Sequence, residues 1–243
     1  MQTKIIILSL SLLFMDCNNY TISNMNSIKG NGNIIEKTIS ISDITSIENT
    51  GIFNIYVKQG EKEELKIETD ENIMEYFKYN IDGKSILVSF ESGSFSPTKA
   101  NVYITLKNIN TVKNSGSGNI NIDNYNFYSL FTSENRGSGS FIMTNISSSD
   151  ELLIKNSGSG NIYIKGKTKI LNLFNSGSGN TNTFELIAEI VNTKNSGSGN
   201  VKVYCEKELT IKNSGSGCLK YKGNAIIKDI SSSGSGNVSK END

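Results

Sequence analysis

The chain has no histidine and no tryptophan, and only one proline (Pro97) and one arginine (Arg136) among 243 residues. Without histidine it lacks the side chain that most often moves protons near neutral pH and most often binds transition metals. No metal and no other cofactor is therefore expected. The 24 basic residues are balanced by 24 acidic ones, so there is no basic field to hold a nucleic-acid backbone, and nucleic acid is not an expected partner. What is plentiful is glycine, 22 residues, which implies many turns or close backbone approaches. A hydrophobic content of 36% is low for a globular core but enough for a narrow one.

No apolar run is long enough near the N-terminus to span a membrane as a helix, which takes about 20 residues. Lys4 is followed by an apolar stretch of eleven residues, Ile5 to Met15, which fits the central region of an export signal. Cys17 follows at once, as in a bacterial lipoprotein signal whose cysteine is acylated. Phe14-Met15-Asp16 departs from the usual pattern of an aliphatic residue three before the cysteine and a small one just before it. A cleaved signal without lipid and an uncleaved anchor are the alternatives. The expected division is a signal over 1–17 ending at a lipidated Cys17, a polar tether over 18–33, and one folded domain over 34–240. The other cysteines, Cys205 and Cys218, fall at different points of neighbouring repeats, which argues against a disulfide.

From Ile34 the pattern becomes alternating and β-branched. Ile52-Phe53-Asn54-Ile55-Tyr56-Val57-Lys58, Leu65-Lys66-Ile67-Glu68, Ile86-Leu87-Val88-Ser89-Phe90 and Val102 to Leu106 read as strands, with a hairpin signal at Asp82-Gly83. Asp70 is placed to N-cap one short helix running through Ile73, Met74, Tyr76 and Phe77.

A repeat then takes over. The motif Asn-Ser-Gly-Ser-Gly-Asn recurs with its first glycine at Gly116, Gly137, Gly158, Gly177, Gly197, Gly215 and Gly234, at spacings of 21, 21, 19, 20, 18 and 19 residues. Apolar residues stand in phase with it. In one copy Ile154, Asn156, Gly158, Gly160, Ile162 and Ile164 share one face, because side chains on a strand alternate. Lys155, Ser157, Ser159, Asn161, Tyr163 and Lys165 share the other. A flexible Ser-Gly linker needs no aliphatic residues in phase, and nothing between the copies reads as a helix. The solution that remains is a parallel β-helix, in which each coil needs its neighbours to bury its apolar face. Asn114, Asn135, Asn156, Asn175, Asn195 and Asn213 would stack into an amide ladder, with Ser232 in the last copy. These asparagines and the seven glycines are read as structural.

Sites of chemistry are not found. Gly166-Lys167-Thr168 lacks the spacing and the following helix of a phosphate-binding loop. The turns carry Ser and Asn where calcium-binding repeats need Asp. Asp123, Asp150 and Asp229 are scattered, without the paired carboxylates of a polysaccharide-cleaving enzyme, and no nucleophile–base set is present. The outward tyrosines and lysines are better candidates for binding. Lys113, Lys155, Lys194 and Lys212 recur in register and are expected to form a row, either a solubilising face or a stripe touching an acidic glycan or a partner.

The run Gly51-Ile52-Phe53-Asn54-Ile55-Tyr56-Val57-Lys58-Gln59-Gly60, with Leu65-Lys66-Ile67-Glu68 and Asp82-Gly83-Lys84-Ser85-Ile86-Leu87-Val88, resembles the start of the putative auto-transporter adhesin head GIN domain family. The Ser-Gly-Ser-Gly-Asn copies from Ser115 onward are similar to its second half. The resemblance implies a right-handed parallel β-helix, here of about seven coils of 18–21 residues after an irregular β portion, often on exported lipoproteins, with no catalytic residues to carry over. The expectation is a non-enzymatic surface lipoprotein, membrane-attached through its N-terminal lipid, at the outer membrane or cell surface, with a glycan or surface protein as ligand. The oligomeric state is left open. The rival readings are a periplasmic sensor or assembly factor and, last, a carbohydrate-active enzyme.

Overall fold

The computed structural model describes residues 27–242. The signal stretch, Cys17 and the tether as far as Asn26 lie outside the described residues. Among the described residues helix accounts for 2%; the rest of their regular structure is β. The alternating aliphatic residues stack coil upon coil. Ile47, Val112, Ile154, Leu173 and Ile211 fall in one inward column, and Ile55, Ile120, Phe141, Ile162, Val201 and Leu219 in another, all essentially without solvent contact. Each coil thus completes the core of the one before it. The solenoid makes about six turns rather than the seven coils expected; the last motif copy, at Gly234, ends the stack with only the short strand Val238–Lys240 after it.

The first wall of a coil ends at an asparagine (Ser232 in the last), a Ser-Gly-Ser-Gly corner follows (Arg136 replacing the first serine in one), and the second wall begins two residues later. From residue 141 the walls run together into long bent strands, Phe141–Asn156, Ile162–Asn175, Thr181–Asn195 and Val201–Asn213. Their pairing is parallel throughout, and the bends coincide with register shifts, as between Met143 and Ile146. Gly166, with φ of 149°, lies inside one of these strands.

The corner glycines are required by the approach of the preceding coil. A Cβ on Gly158 would stand 2.1 Å from the carbonyl oxygen of Gly137, and one on Gly197 2.1 Å from that of Gly177. The asparagine before a corner pins it in most coils, its Nδ2 donating to the carbonyl four residues on: Asn114 to Gly118 at 3.0 Å, Asn135 to Gly139 at 2.9 Å, Asn156 to Gly160 at 3.0 Å; Asn175 instead donates to Asn195 and to Gly199 O of the next coil. Between coils, Asn114 donates to Oδ1 of Asn135 and Asn135 to Oδ1 of Asn156, both at 3.4 Å, and Asn175 to Asn195 at 2.9 Å. The column is interrupted. Asn156 reaches Gly179 and Asn195 reaches Gly217 instead, leaving Oδ1 of Asn175 and of Asn213 buried without a partner.

Two features of this column are absent from the repeat as read in the sequence. It begins earlier, at Asn49, whose Nδ2 donates to Phe53 O and Asn114 Oδ1. There Phe53 holds the place of the second corner glycine, and its ring packs on Phe90 at 4.2 Å and Phe77 at 5.2 Å. A second, exposed ladder runs beside the first: the side-chain oxygens of Asn119, Asn161, Asn180 and Asn200 accept the N–H of Ser140, Asn180, Asn200 and Cys218, each at 2.8–2.9 Å.

The N-terminal portion is an excursion. The coil formed by Ser46–Asn49 and Asn54–Gln59 has residues 111–114 and 120–122 on one side, and residues 85–88 and 101–106 on the other. The chain therefore leaves this coil after Gln59, builds a cap beyond it, and returns to continue the stack from its opposite edge. The cap contains the antiparallel set Ile34–Ser40, Glu64–Asp70 and Ala100–Leu106 and the hairpin Phe77–Asp82 with Ser85–Phe90, turned at Gly83 with φ of 55°.

The helix is one turn, Glu71–Met74, and Asp70 makes no capping bond to it; Phe77 belongs to a strand. The Asp70 carboxylate instead accepts N–H groups of Gly32 at 2.8 Å and Thr98 at 2.7 Å. It thereby clamps residues 30–32, part of the expected tether, onto the cap, where Ile28–Lys29 also pairs with Phe95–Ser96.

At the other end Ile227 and Ile230 continue the inward columns of Leu209 and Ile211, yet they are 42% and 38% exposed. The charged residues Lys240 and Glu241 extend the second wall, Lys240 pairing with Tyr221 and Glu241 N–H donating to Tyr221 O. Glu241 pairs with Lys220 at 3.0 Å and leaves the isoleucines uncovered.

Candidate ligand-binding face

The asparagines of the inner column present almost nothing to solvent, and the corner glycines have no side chain to offer a ligand. Asn114, Asn135, Asn156, Asn175, Asn195 and Asn213 are each at most 2% exposed. Binding chemistry must therefore be sought in the outward columns.

The lysines singled out in the sequence do share one column, but others stand among them. Read along the stack it runs Glu48, Lys113, Glu134, Lys155, Phe174, Lys194, Lys212, Ser231. Glu134 lies between the first two lysines and also holds Arg136 at 2.8 Å. Phe174, 42% exposed, separates the second from the third. The stripe is mixed in charge and carries an aromatic ring, and only Lys194 and Lys212 are adjacent. That is a poor match to a polyanion.

The second wall carries the column of tyrosines. From the cap outward it is Lys66, Tyr103, Tyr56, Asn121, Ile142, Tyr163, Asn182, Lys202 and Lys220. Its first members are locked together. Tyr103 and Tyr56 stack with ring centroids 5.1 Å apart at 18°, and Lys66 Nζ covers the other face of Tyr103 at 4.8 Å. The Tyr103 hydroxyl donates to Glu68 at 3.0 Å. Lys99, 2.6 Å from Glu68, is the main reason that carboxyl titrates below the usual range, with the tyrosine hydrogen bond adding to it. Glu36, hydrogen-bonded to Lys66, raises the pKa of that lysine and keeps it charged.

The consequence is a tyrosine with one face held and one face free. Tyr56 is 37% exposed and lines a groove of about 560 Å³ together with Lys58, Gln59, Asn121, Asp123 and Asn124. The groove lies where the antiparallel cap strand Glu64–Asp70, the strand Ala100–Leu106 and the second wall of the solenoid meet. Asp123 is set in place at its edge by donors from two coils: Thr144 Oγ1 at 2.6 Å and Asn145 Nδ2 at 3.0 Å to one oxygen, Asn124 Nδ2 at 2.6 Å to the other. Gln59 is fixed by accepting Asn126 N–H at 3.2 Å and donating to Lys107 O at 3.1 Å. Strand alternation around the buried Ile55, Val57, Val102 and Ile104 turns Tyr56 and Tyr103 outward. Their stacking was not legible in the sequence, because 47 positions of chain separate Tyr56 from Tyr103 and only the excursion through the cap brings them side by side.

Further along the column, Tyr163 donates its hydroxyl to Glu185, which also pairs with Lys165 at 3.1 Å. The ring of Phe184 is approached by Lys202 and Lys222 at 5.3 and 5.2 Å. Neither cysteine in the described residues is bonded: Cys205 is buried and Cys218 exposed, and burial raises the pKa of the Cys205 thiol.

The architecture defines a parallel β-helix whose interior is closed by stacked aliphatic, aromatic and amide side chains and whose exposed walls carry the solvent-facing ones. A family model described as "Putative auto-transporter adhesin, head GIN domain" matches residues 43–225, and the chain belongs to that family. Similar folds are seen in crystal structures of a putative adhesin from Bacteroides fragilis NCTC 9343 (TM-score 0.79, 22% identity, 88% of this chain and 100% of that one) and a putative adhesin from Parabacteroides distasonis ATCC 8503 (TM-score 0.70, 20% identity, 89% and 100%). A third, a putative lipid binding protein also from Parabacteroides distasonis ATCC 8503, has a TM-score of 0.67 at 24% identity over 88% and 99% of the two chains. At these identities the likeness is one of fold. A search of curated proteins gave no match.

Proposed function

We propose that this protein is a non-enzymatic adhesive module of the cell envelope, exported, tethered to the membrane by lipid on Cys17, and presenting the outer wall of its β-helix to surface ligands. The observation that carries this reading is the groove beside Tyr56. It is an open, solvent-facing concavity with an aromatic face and fixed amide and carboxylate groups, which suits binding. No histidine is available there or anywhere in the chain to serve as an acid or base. Family membership supports the adhesive role, and the placement of Cys17 after the apolar run supports the tether.

The test has two parts. Adhesion of protein-coated beads to mucin- or matrix-coated surfaces should be saturable and abolished by excess soluble domain. Wild-type protein should partition into detergent and be removed by protease shaving of intact cells, whereas Cys17→Ser should move to the soluble fraction. Absence of adhesion to every surface sinks the adhesive role; protection from shaving sinks the surface location.

A further inference from the structure

Along the tyrosine column side-chain size is uneven. Asn121 is flanked by Tyr56 on one side and by Ile142, 39% exposed, on the other. Strands stack about 4.8 Å apart, so Tyr56 and Ile142 leave the backbone roughly 9.6 Å from one another with only a short amide between them. A ring laid on Tyr56 at van der Waals distance, about 3.5–4.0 Å, fills that notch, and no second ring fits beside it.

We infer that this notch is a binding subsite for a neutral hexopyranose unit of a glycan. The inference rests on the adhesive reading above and names its ligand class. Three observations select that chemistry. The free face of Tyr56 offers a flat, electron-rich surface to the C–H groups of a sugar ring. Its opposite face is stacked on Tyr103, which Lys66 covers in turn, so the ring is held upright before any ligand arrives and little ordering entropy is left to lose. Around it, Asn121, Asn124 and Asp123 supply both donors and acceptors, as hydroxyl groups require.

Charge sets the preference for a neutral sugar. Lys58 and Lys66 are offset by Glu64 and Asp123 in the same groove, and Asp123, fixed by its three donors at the edge of the groove, would repel a sugar carboxylate.

The experiment is saturation-transfer NMR on the intact folded chain with cellohexaose, maltohexaose and mannohexaose as neutral probes and hexagalacturonate as the acidic one. At least one neutral probe should bind. Tyr56→Ala, which removes the platform, and Asn121→Leu, which fills the notch while leaving Tyr56 in place, should each weaken that binding at least tenfold. Tyr79→Ala, on the exposed cap hairpin, should leave it unchanged. Matching circular dichroism melts identify variants that fold. Binding only to hexagalacturonate, binding retained by both notch variants, or no binding to any probe overturns the inference. If wild-type beads still adhere to coated surfaces in that case, the adhesive role stands and the notch alone falls; if adhesion is also absent, both fall.

Discussion

Asn49 donates its side-chain amide to Oδ1 of Asn114 at 3.0 Å, across 65 residues of sequence. The bond gives Asn114, which opens the regular repeat, a neighbour on each side, and makes Asn49 the first rung of the column.

Loss of an interior rung should accordingly be costly wherever it falls. Asn135→Leu removes the acceptor of Asn114 and the donor to both Gly139 O and Asn156 Oδ1. Buried groups left without partners cost about 1–3 kcal/mol each, so a loss of about 2–4 kcal/mol is expected by urea titration. Asn114→Leu should cost a similar amount. The outward neighbour Lys155→Ala should change stability by less than about 0.5 kcal/mol. A harmless Asn135→Leu would mean that the corners are held by the backbone alone.

The corner glycines should tolerate nothing larger. In Gly158→Val the new Cβ would lie 2.1 Å from a backbone carbonyl oxygen, which no rotamer change relieves. The expected loss exceeds about 3 kcal/mol. Ser159→Thr, one residue on and facing outward, should cost under about 1 kcal/mol. Equal losses at the two positions would show that the coils separate easily.

Thr193 offers the opposite sign. It occupies an inward column between Leu173 and Ile211, and its hydroxyl is buried with no hydrogen-bond partner. Thr193→Val keeps the shape and removes the stranded group, so it should stabilise by about 1 kcal/mol or more, read as a higher melting temperature. A lower melting temperature would reveal a partner for that hydroxyl.

Asp70 should make stability depend on acid. Burial alone would raise its pKa, but the donors from Gly32, Thr98 and Lys99 outweigh burial and lower it. A carboxyl whose folded pKa is depressed contributes stability above its unfolded pKa, about 3.9. That contribution is lost as pH falls through the folded value. Asp70→Asn should cost about 1–3 kcal/mol at neutral pH and flatten the decline of the urea midpoint below pH 4. An unchanged acid limb in the variant would place the sensitive group elsewhere.

Much of the fold could be read from residue order. The recurrence of Asn-Ser-Gly-Ser-Gly-Asn every 18–21 residues, with aliphatic side chains in phase before and after, dictates which side chains face inward. It also requires neighbouring coils to stack, because a strand has only two faces and one coil cannot bury its own. The pattern fails where a residue takes another's place. Phe53 stands where the second corner glycine would, so the coil at Asn49 keeps only Asn49, Gly51 and Asn54 of the motif; the Phe53 ring packs against the cap aromatics Phe77 and Phe90.

Which strands become neighbours at the N-terminal end was a tertiary decision. Pairing across 65 residues leaves no local periodicity, and nothing in the order of residues says that the chain leaves after Gln59 and rejoins the stack on its other side. The same excursion turned Asp70 from a helix cap into a clamp on Gly32 and Thr98, and set Tyr103 against Tyr56. The residues of the groove were therefore present in the sequence as outward side chains, while the groove itself exists only because long-range packing freed one tyrosine face and held the other.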